Sequence, residues 1–174
     1  MRTNPFLLTA MSIAVACGTH SERSWPPVGL ESFGSVRYGM SLEQAAAALG
    51  EPLPLGPDQL GIECTTTSAA SMPHDAWFMV VDSMVVRIDI YTESLETDRG
   101  ARVGMTESQI QSLYDHRLVV QPHPYTAPAG HYLTLDPSPA DSTGPTMIFE
   151  TLRDTVRNFR AGRKPAVLWI EGCS

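Results

Sequence analysis

Arg37-Tyr38-Gly39-Met40-Ser41-Leu42-Glu43-Gln44 recurs later in the chain as Arg102-Val103-Gly104-Met105-Thr106-Glu107-Ser108-Gln109. Arg, Gly, Met, Ser/Thr and Gln coincide in register, and each has a mechanical reading. Ser41 or Thr106 is placed to cap a helix, and Gln44 or Gln109 at the third helical position closes a capping box. Met40 or Met105, just before the cap, can pack on Ala45 or Ile110 past it as a hydrophobic staple. Gly39 or Gly104 permits the backbone turn that feeds the cap. The octet is helix-start chemistry and needs no ligand to explain it.

The first helix is expected over Leu42–Leu49, with Leu42, Ala45, Ala46 and Leu49 on one face. Gly50 stops it and Pro52 prevents resumption. The second is expected over Glu107–Asp115, burying Ile110, Leu113 and Tyr114. Both are so short that packing against a sheet must hold them. Strands follow each helix. Trp77–Val81 and Met84–Tyr91 flank Asp82-Ser83, a two-residue hairpin turn. Val86, Ile88 and Ile90 alternate with Arg87, Asp89 and Tyr91, which predicts one buried and one wet face. Met147–Leu152 and Val156–Ala161 form a second hairpin, with Val86-Arg87 matched to Val156-Arg157. Further strands are expected at Gly61–Thr66, Arg117–Gln121, His131–Leu135 and Ala166–Ile170. The expected fold class is α+β: two tandem units, each a short capped helix followed by an antiparallel β-meander, with the helices packed on one face of the sheet. The units would occupy residues 33–96 and 97–174.

A GMS/GMT turn into a short capped helix, followed by a hairpin meander, resembles the BamE/SmpA-type lipoprotein fold. Two such units in tandem are similar in architecture to the β-lactamase inhibitor protein. The resemblance covers Ser35–Tyr91 and Ala101–Gly172. It implies either a scaffold role beside other envelope proteins or a concave sheet that clamps an enzyme loop. Neither family's partner-contacting residues match positions here, so none is carried over.

The N-terminus reads as an address. Arg2 precedes Phe6–Ala16 (FLLTAMSIAVA), a run too short to span a bilayer and shaped like a secretory signal peptide over residues 1–16. Ala14-Val15-Ala16-Cys17 resembles the bacterial lipobox, which implies an acylated Cys17 and a lipid anchor. Gly18 after it implies the periplasmic face of the outer membrane of a diderm bacterium. Residues 17–32, polar and broken by Pro26-Pro27, are expected to form a flexible tether. Acylation leaves Cys64 and Cys173, an even pair that in an oxidising periplasm reads as one disulfide. It would close a loop of about 110 residues, which the chain-entropy model values at about 4–5 kcal/mol.

With 12 Lys+Arg against 19 Asp+Glu, the 174-residue chain has a net charge of −7, which argues against a nucleic-acid partner. Hydrophobic residues at 43% and charged residues at 18% are too apolar for a disordered chain. The five histidines fall in no metal-ligand spacing, and the common nucleophile, P-loop and dinucleotide motifs are missing from the sequence. No catalytic residue, cofactor or metal is assigned. Binding is read instead from the turn-rich stretch between Gln121 and Leu135. There Pro122, Pro124 and Pro128 stiffen the chain, and His123, Tyr125, His131 and Tyr132 supply amphipathic contact area. The plainer alternative is that these tyrosines cover one sheet edge. Arg153, Arg157, Arg160, Arg163 and Lys164 form a basic cluster, read as the solvated face of a strand or as a patch for anionic lipid or an acidic partner. The expected function is a non-enzymatic envelope lipoprotein whose sheet surface binds another envelope protein. The alternatives are a secreted inhibitor-like module aimed at a hydrolase, or an enzyme whose site has no sequence motif.

Overall fold

The computed structural model describes residues 25–59, 61 and 63–173. The expected signal peptide and the lipidation site Cys17 lie outside the described residues. From Trp25 the chain is already packed, within the stretch read as a tether: Trp25 stacks on Phe33 and Val28 is fully buried. A two-stranded ribbon follows, β1 (Ser32–Phe33) with β2 (Val36–Arg37), and then helix α1 (Leu42–Leu49). The remaining elements are β3 (Cys64–Thr67), β4 (Ala76–Val81), β5 (Met84–Ile90), α2 (Glu107–Leu113), β6 (Val119–Pro122), β7 (Gly130–Leu135), β8 (Pro145–Leu152) and β9 (Thr155–Arg163).

Both octets make their capping boxes. Ser41 Oγ accepts from the Gln44 N–H and Thr106 Oγ1 from the Gln109 N–H, while each Gln side chain accepts from the cap N–H. Each glycine N–H donates to a strand carbonyl, Gly39 to Val85 and Gly104 to Val156. That equivalence matches Val85, not Val86, with Val156. A β-bulge in each hairpin shifts the register by one residue, so the counterpart of Arg87 is Asn158.

The expected division into two tandem helix-and-meander units is overturned. Strands β3 to β9 form one seven-stranded antiparallel sheet in the order β3-β4-β5-β9-β8-β7-β6, and the described residues are mostly sheet with two short α-helices. Two separate meanders would each leave a strand edge unpaired. Here β5 and β9 spend those edges on one another, with Ile88 opposite Ala161 and Asp89 opposite Arg160. Gly162 allows the close approach, because a Cβ there would sit 2.3 Å from Arg87 Cβ and 2.4 Å from the Val86 carbonyl oxygen. One core therefore serves both halves of the described chain: Ala45 of α1 and Ile110 of α2 bury with Phe78, Ile88, Phe149 and Phe159.

Three further expectations change. Ala166–Ile170 is no strand but a single 3₁₀ turn at Ala166–Leu168 that continues as a strap across the helix-free face of the sheet. The strap ends at Cys173, bonded to Cys64 on β3. Consequently Arg87 and Asp89 are buried, although the alternation of β5 assigned them to a wet face. Arg160 and Lys164 of the basic cluster are buried too, while Arg153, Arg157 and Arg163 remain exposed.

Candidate functional site

The strap lies over charged side chains, and the charges hold it. Arg87 Nη1 donates to the carbonyls of Ala166 and Trp169, each at 2.8 Å, while its Nε donates to Asp89 Oδ2 at 2.8 Å. Arg160 Nε donates to the Val167 carbonyl at 2.8 Å, and its Nη1 lies 3.5 Å from Glu150 Oε2. A strap in irregular conformation has carbonyls that no neighbouring strand satisfies, and leaving them buried and unpaired would be costly. The two arginines meet that need, and Asp89 and Glu150 balance the charge of their guanidinium groups. Lys164, where the strap leaves β9, is held in the same way by Asp136 and the Ser138 carbonyl.

Of the four residues singled out for binding, three meet on this face. Glu150 Oε1 lies 3.0 Å from His123 Nε2, and the Tyr125 N–H donates to Nδ1 at 3.1 Å. Because Nδ1 accepts, Nε2 is the nitrogen that donates to Glu150. Tyr132 packs on the His123 ring at 4.6 Å between centroids, with the Arg160 guanidinium 5.3 Å from its own centroid. Its buried hydroxyl has no hydrogen-bond partner among the described residues. Burial, and then the Glu150 carboxylate, push that hydroxyl up from its ordinary pKa. His123 and Tyr132 are therefore buried supports, whereas Tyr125 is exposed and donates its hydroxyl to Glu171 of the strap at 2.6 Å. That bond raises the Tyr125 pKa.

His131 is not brought to this site. It points to the helix side, where its Nδ1 lies 2.8 Å from Glu107 Oε1, which also accepts from Thr151 Oγ1. It pins α2 to the sheet.

The outer surface of the strap is apolar. Leu168, Trp169 and Ile170 are 47%, 37% and 42% exposed. A recess of about 360 Å³ opens on either side of Ile170. One is floored by Arg87 and Asp89 and walled by Trp77 and Tyr91, whose rings stack at 5.0 Å. Burial, and then Asp89, push the Tyr91 hydroxyl up. The other is lined by Val119, Tyr132, Ile148 and Leu168. Among the described residues no group of three or more His, Cys, Asp or Glu could hold a metal ion. No helix among them is long and apolar enough to cross a membrane.

Sequence reading missed Glu150 and the strap itself, and it placed Arg87, Asp89 and Arg160 on solvated faces where the structure buries them. The available clue was Cys173, whose pairing with Cys64 requires the C-terminal segment to cross the sheet.

No protein-family model matches this chain, and no curated protein does. Among solved structures it is similar to the uncharacterized protein yfeY from Escherichia coli, at 13% identity and a TM-score of 0.45. That match covers 79% of this chain and 99% of the other. It is also similar to an extracellular protein containing a SCP domain from Bacillus anthracis str. Ames, at 12% identity and a TM-score of 0.48. There the match covers 90% of this chain but 52% of the other, so this chain spans about half of that protein's length. Neither structure is named for the families that the repeated octet resembles.

Proposed function

We propose that the protein is a lipid-anchored envelope protein that binds another envelope protein through the strapped face of its sheet, acting by contact and not by catalysis. The observation that carries the reading is the exposed row Leu168-Trp169-Ile170, flanked by Tyr125 and Tyr91, on a frame immobilised by Arg87, Arg160 and the Cys64–Cys173 bond. Large apolar and aromatic side chains on a pre-ordered segment lose little entropy on binding, which is what an interface anchor requires. The envelope address rests on residues 1–16 and Cys17. A disulfide that closes a long loop suits an oxidising compartment.

The test is site-specific photocrosslinking in a diderm host, with the photoreactive residue at Ile170, at Tyr125, or at Glu43 on the exposed side of α1. A discrete adduct from the first two positions and none from Glu43 is expected. Equal adducts from all three, or none, would refute the reading. Intact mass of the same protein beside Cys17→Ala tests the anchor: a triacyl increment with loss of residues 1–16 is expected, and it should vanish in the variant.

A further inference from the structure

We infer that the free edge of β6 takes an extended segment of the partner as an eighth strand, with alternate apolar side chains of that segment seated in the recess beside the strap. The inference rests on the protein-binding reading above and names the chemistry of the partner.

Register and hydrogen bonding define what the edge offers. Val119 pairs with Thr134 and Pro122 with His131, and the His123 N–H donates to the Gly130 carbonyl. In an antiparallel pair the bonded residues alternate. The backbone groups of Val119 and Gln121 therefore point to β7, and those of Val120 and Pro122 point outward. Proline has no N–H, so the edge presents one donor, at Val120, and two acceptors, at Val120 and Pro122. The Leu118 carbonyl just before it accepts from Gln111 Nε2 at 3.5 Å, which closes the edge at that end.

The opposite edge of the sheet is covered. Thr67 Oγ1 of β3 donates to the Pro54 carbonyl, and Gln59 Nε2 donates to the Thr66 carbonyl. The segment around Pro54–Gln59 thus shields β3 as natural edges usually are. On β6 all four residues are exposed, with Val119 at 59% and Val120 at 45%, and none is charged. An uncharged edge whose outward backbone groups are unspent among the described residues is the surface that strand addition uses.

Side-chain parity then specifies the occupant. In an antiparallel added strand, the residue opposite Val120 makes two backbone bonds. Its two neighbours lie opposite Val119 and Gln121, on the strap side. Val119 and Gln121 line the recess together with Tyr132, Ile148, Leu168 and Ile170. The fitting segment reads apolar–polar–apolar, and the chain's net charge of −7 favours one without acidic residues.

The probe is the peptide Ac-Lys-Val-Thr-Val-Lys-NH2, titrated into the ¹⁵N-labelled oxidised protein while amide exchange is followed by NMR. Exchange at Val120 should slow at least tenfold at saturation. N-methylation of the central threonine, or Val120→Pro in the protein, should each weaken binding at least tenfold. Should Val120→Pro fail to fold, the methylated peptide alone decides. Unchanged exchange at Val120, or equal binding of the methylated peptide, overturns the inference. So does protection of Val120 that grows with protein concentration in the absence of peptide, which would assign the edge to a second copy of this chain. Crosslinks from Ile170 that persist in Val120→Pro would remove this inference and leave the strapped-face reading standing. Loss of crosslinking from Ile170 in the unaltered protein would remove both.

Discussion

Arg87 shows how one side chain can organise a surface. It spends its donors on Asp89 and on two strap carbonyls, and it is buried. Arg87→Ala should lower stability by about 3–5 kcal/mol, because it leaves Asp89 charged, buried and unpaired. Urea denaturation measures this. The double variant Arg87→Met with Asp89→Leu should recover only part of the loss: it removes the unpaired carboxylate but still leaves the Ala166 and Trp169 carbonyls without their donor. Tyr114 makes a second residue-scale case. Its hydroxyl donates to Thr97 Oγ1 at 2.9 Å, and burial pushes its pKa up to about 12. A raised folded-state value means the folded protein holds the proton more tightly than the unfolded chain. The associated stability is thus fully present below the ordinary tyrosine pKa of about 10 and is lost as pH rises through about 12. Denaturation between pH 9 and 12 should show that decline, and Tyr114→Phe should make it shallower without abolishing it, because other tyrosines are also raised.

At the scale of elements, the octets do what their chemistry requires, but tertiary contacts complete them. The Glu107 N–H at the start of α2 donates to Asp154 Oδ1, a carboxylate in the β8–β9 turn. Thr106→Ala should cost about 1 kcal/mol through the lost cap. Asp154→Gly should cost a similar amount through the lost acceptor, without strain, because Asp154 has a φ of 60° that glycine tolerates. Thermal melting would give both values, and amide exchange over residues 107–110 should rise in each variant while that of α1 stays unchanged. The Asp82-Ser83 turn was legible for the same local reason, whereas the second turn, expected to span Arg153-Asp154-Thr155, is shorter because Thr155 pairs with Leu152 as the first residue of β9. Asp82-Ser83 and Arg153-Asp154 both have positive φ, as a two-residue turn between twisted strands demands.

For the whole molecule the decisive link is the Cys64–Cys173 bond across a sequence separation of 109. Replacing both cysteines by serine should cost about 4–5 kcal/mol, the loop-closure entropy of the chain-entropy model. Denaturation of the variant beside the oxidised protein measures it. Amide exchange should rise first in residues 165–173, with β8 and β9 staying protected. Protection lost equally across the sheet would show that the strap belongs to the core's cooperative unit.

By itself the sequence determined the local pieces: two capped helices, the hairpins, the Asp82-Ser83 turn, and Cys64 and Cys173 as the expected pair. Those depend on residues within a few positions of one another, or on simple parity of cysteines. Only the tertiary structure decided that the strands make one sheet. The β5·β9 joint depends on free edges and on the missing Cβ of Gly162, which no periodicity encodes. The site was illegible for a related reason. Alternation along β5 states that two faces differ, and a strap bonded to Arg87 from Ala166 and Trp169 decides whether the polar one is wet. His123, Tyr125 and Tyr132 were visible as a cluster in sequence. Their division into buried support and exposed contact depended on Glu150 and Glu171, which lie far along the chain and meet them only in the fold.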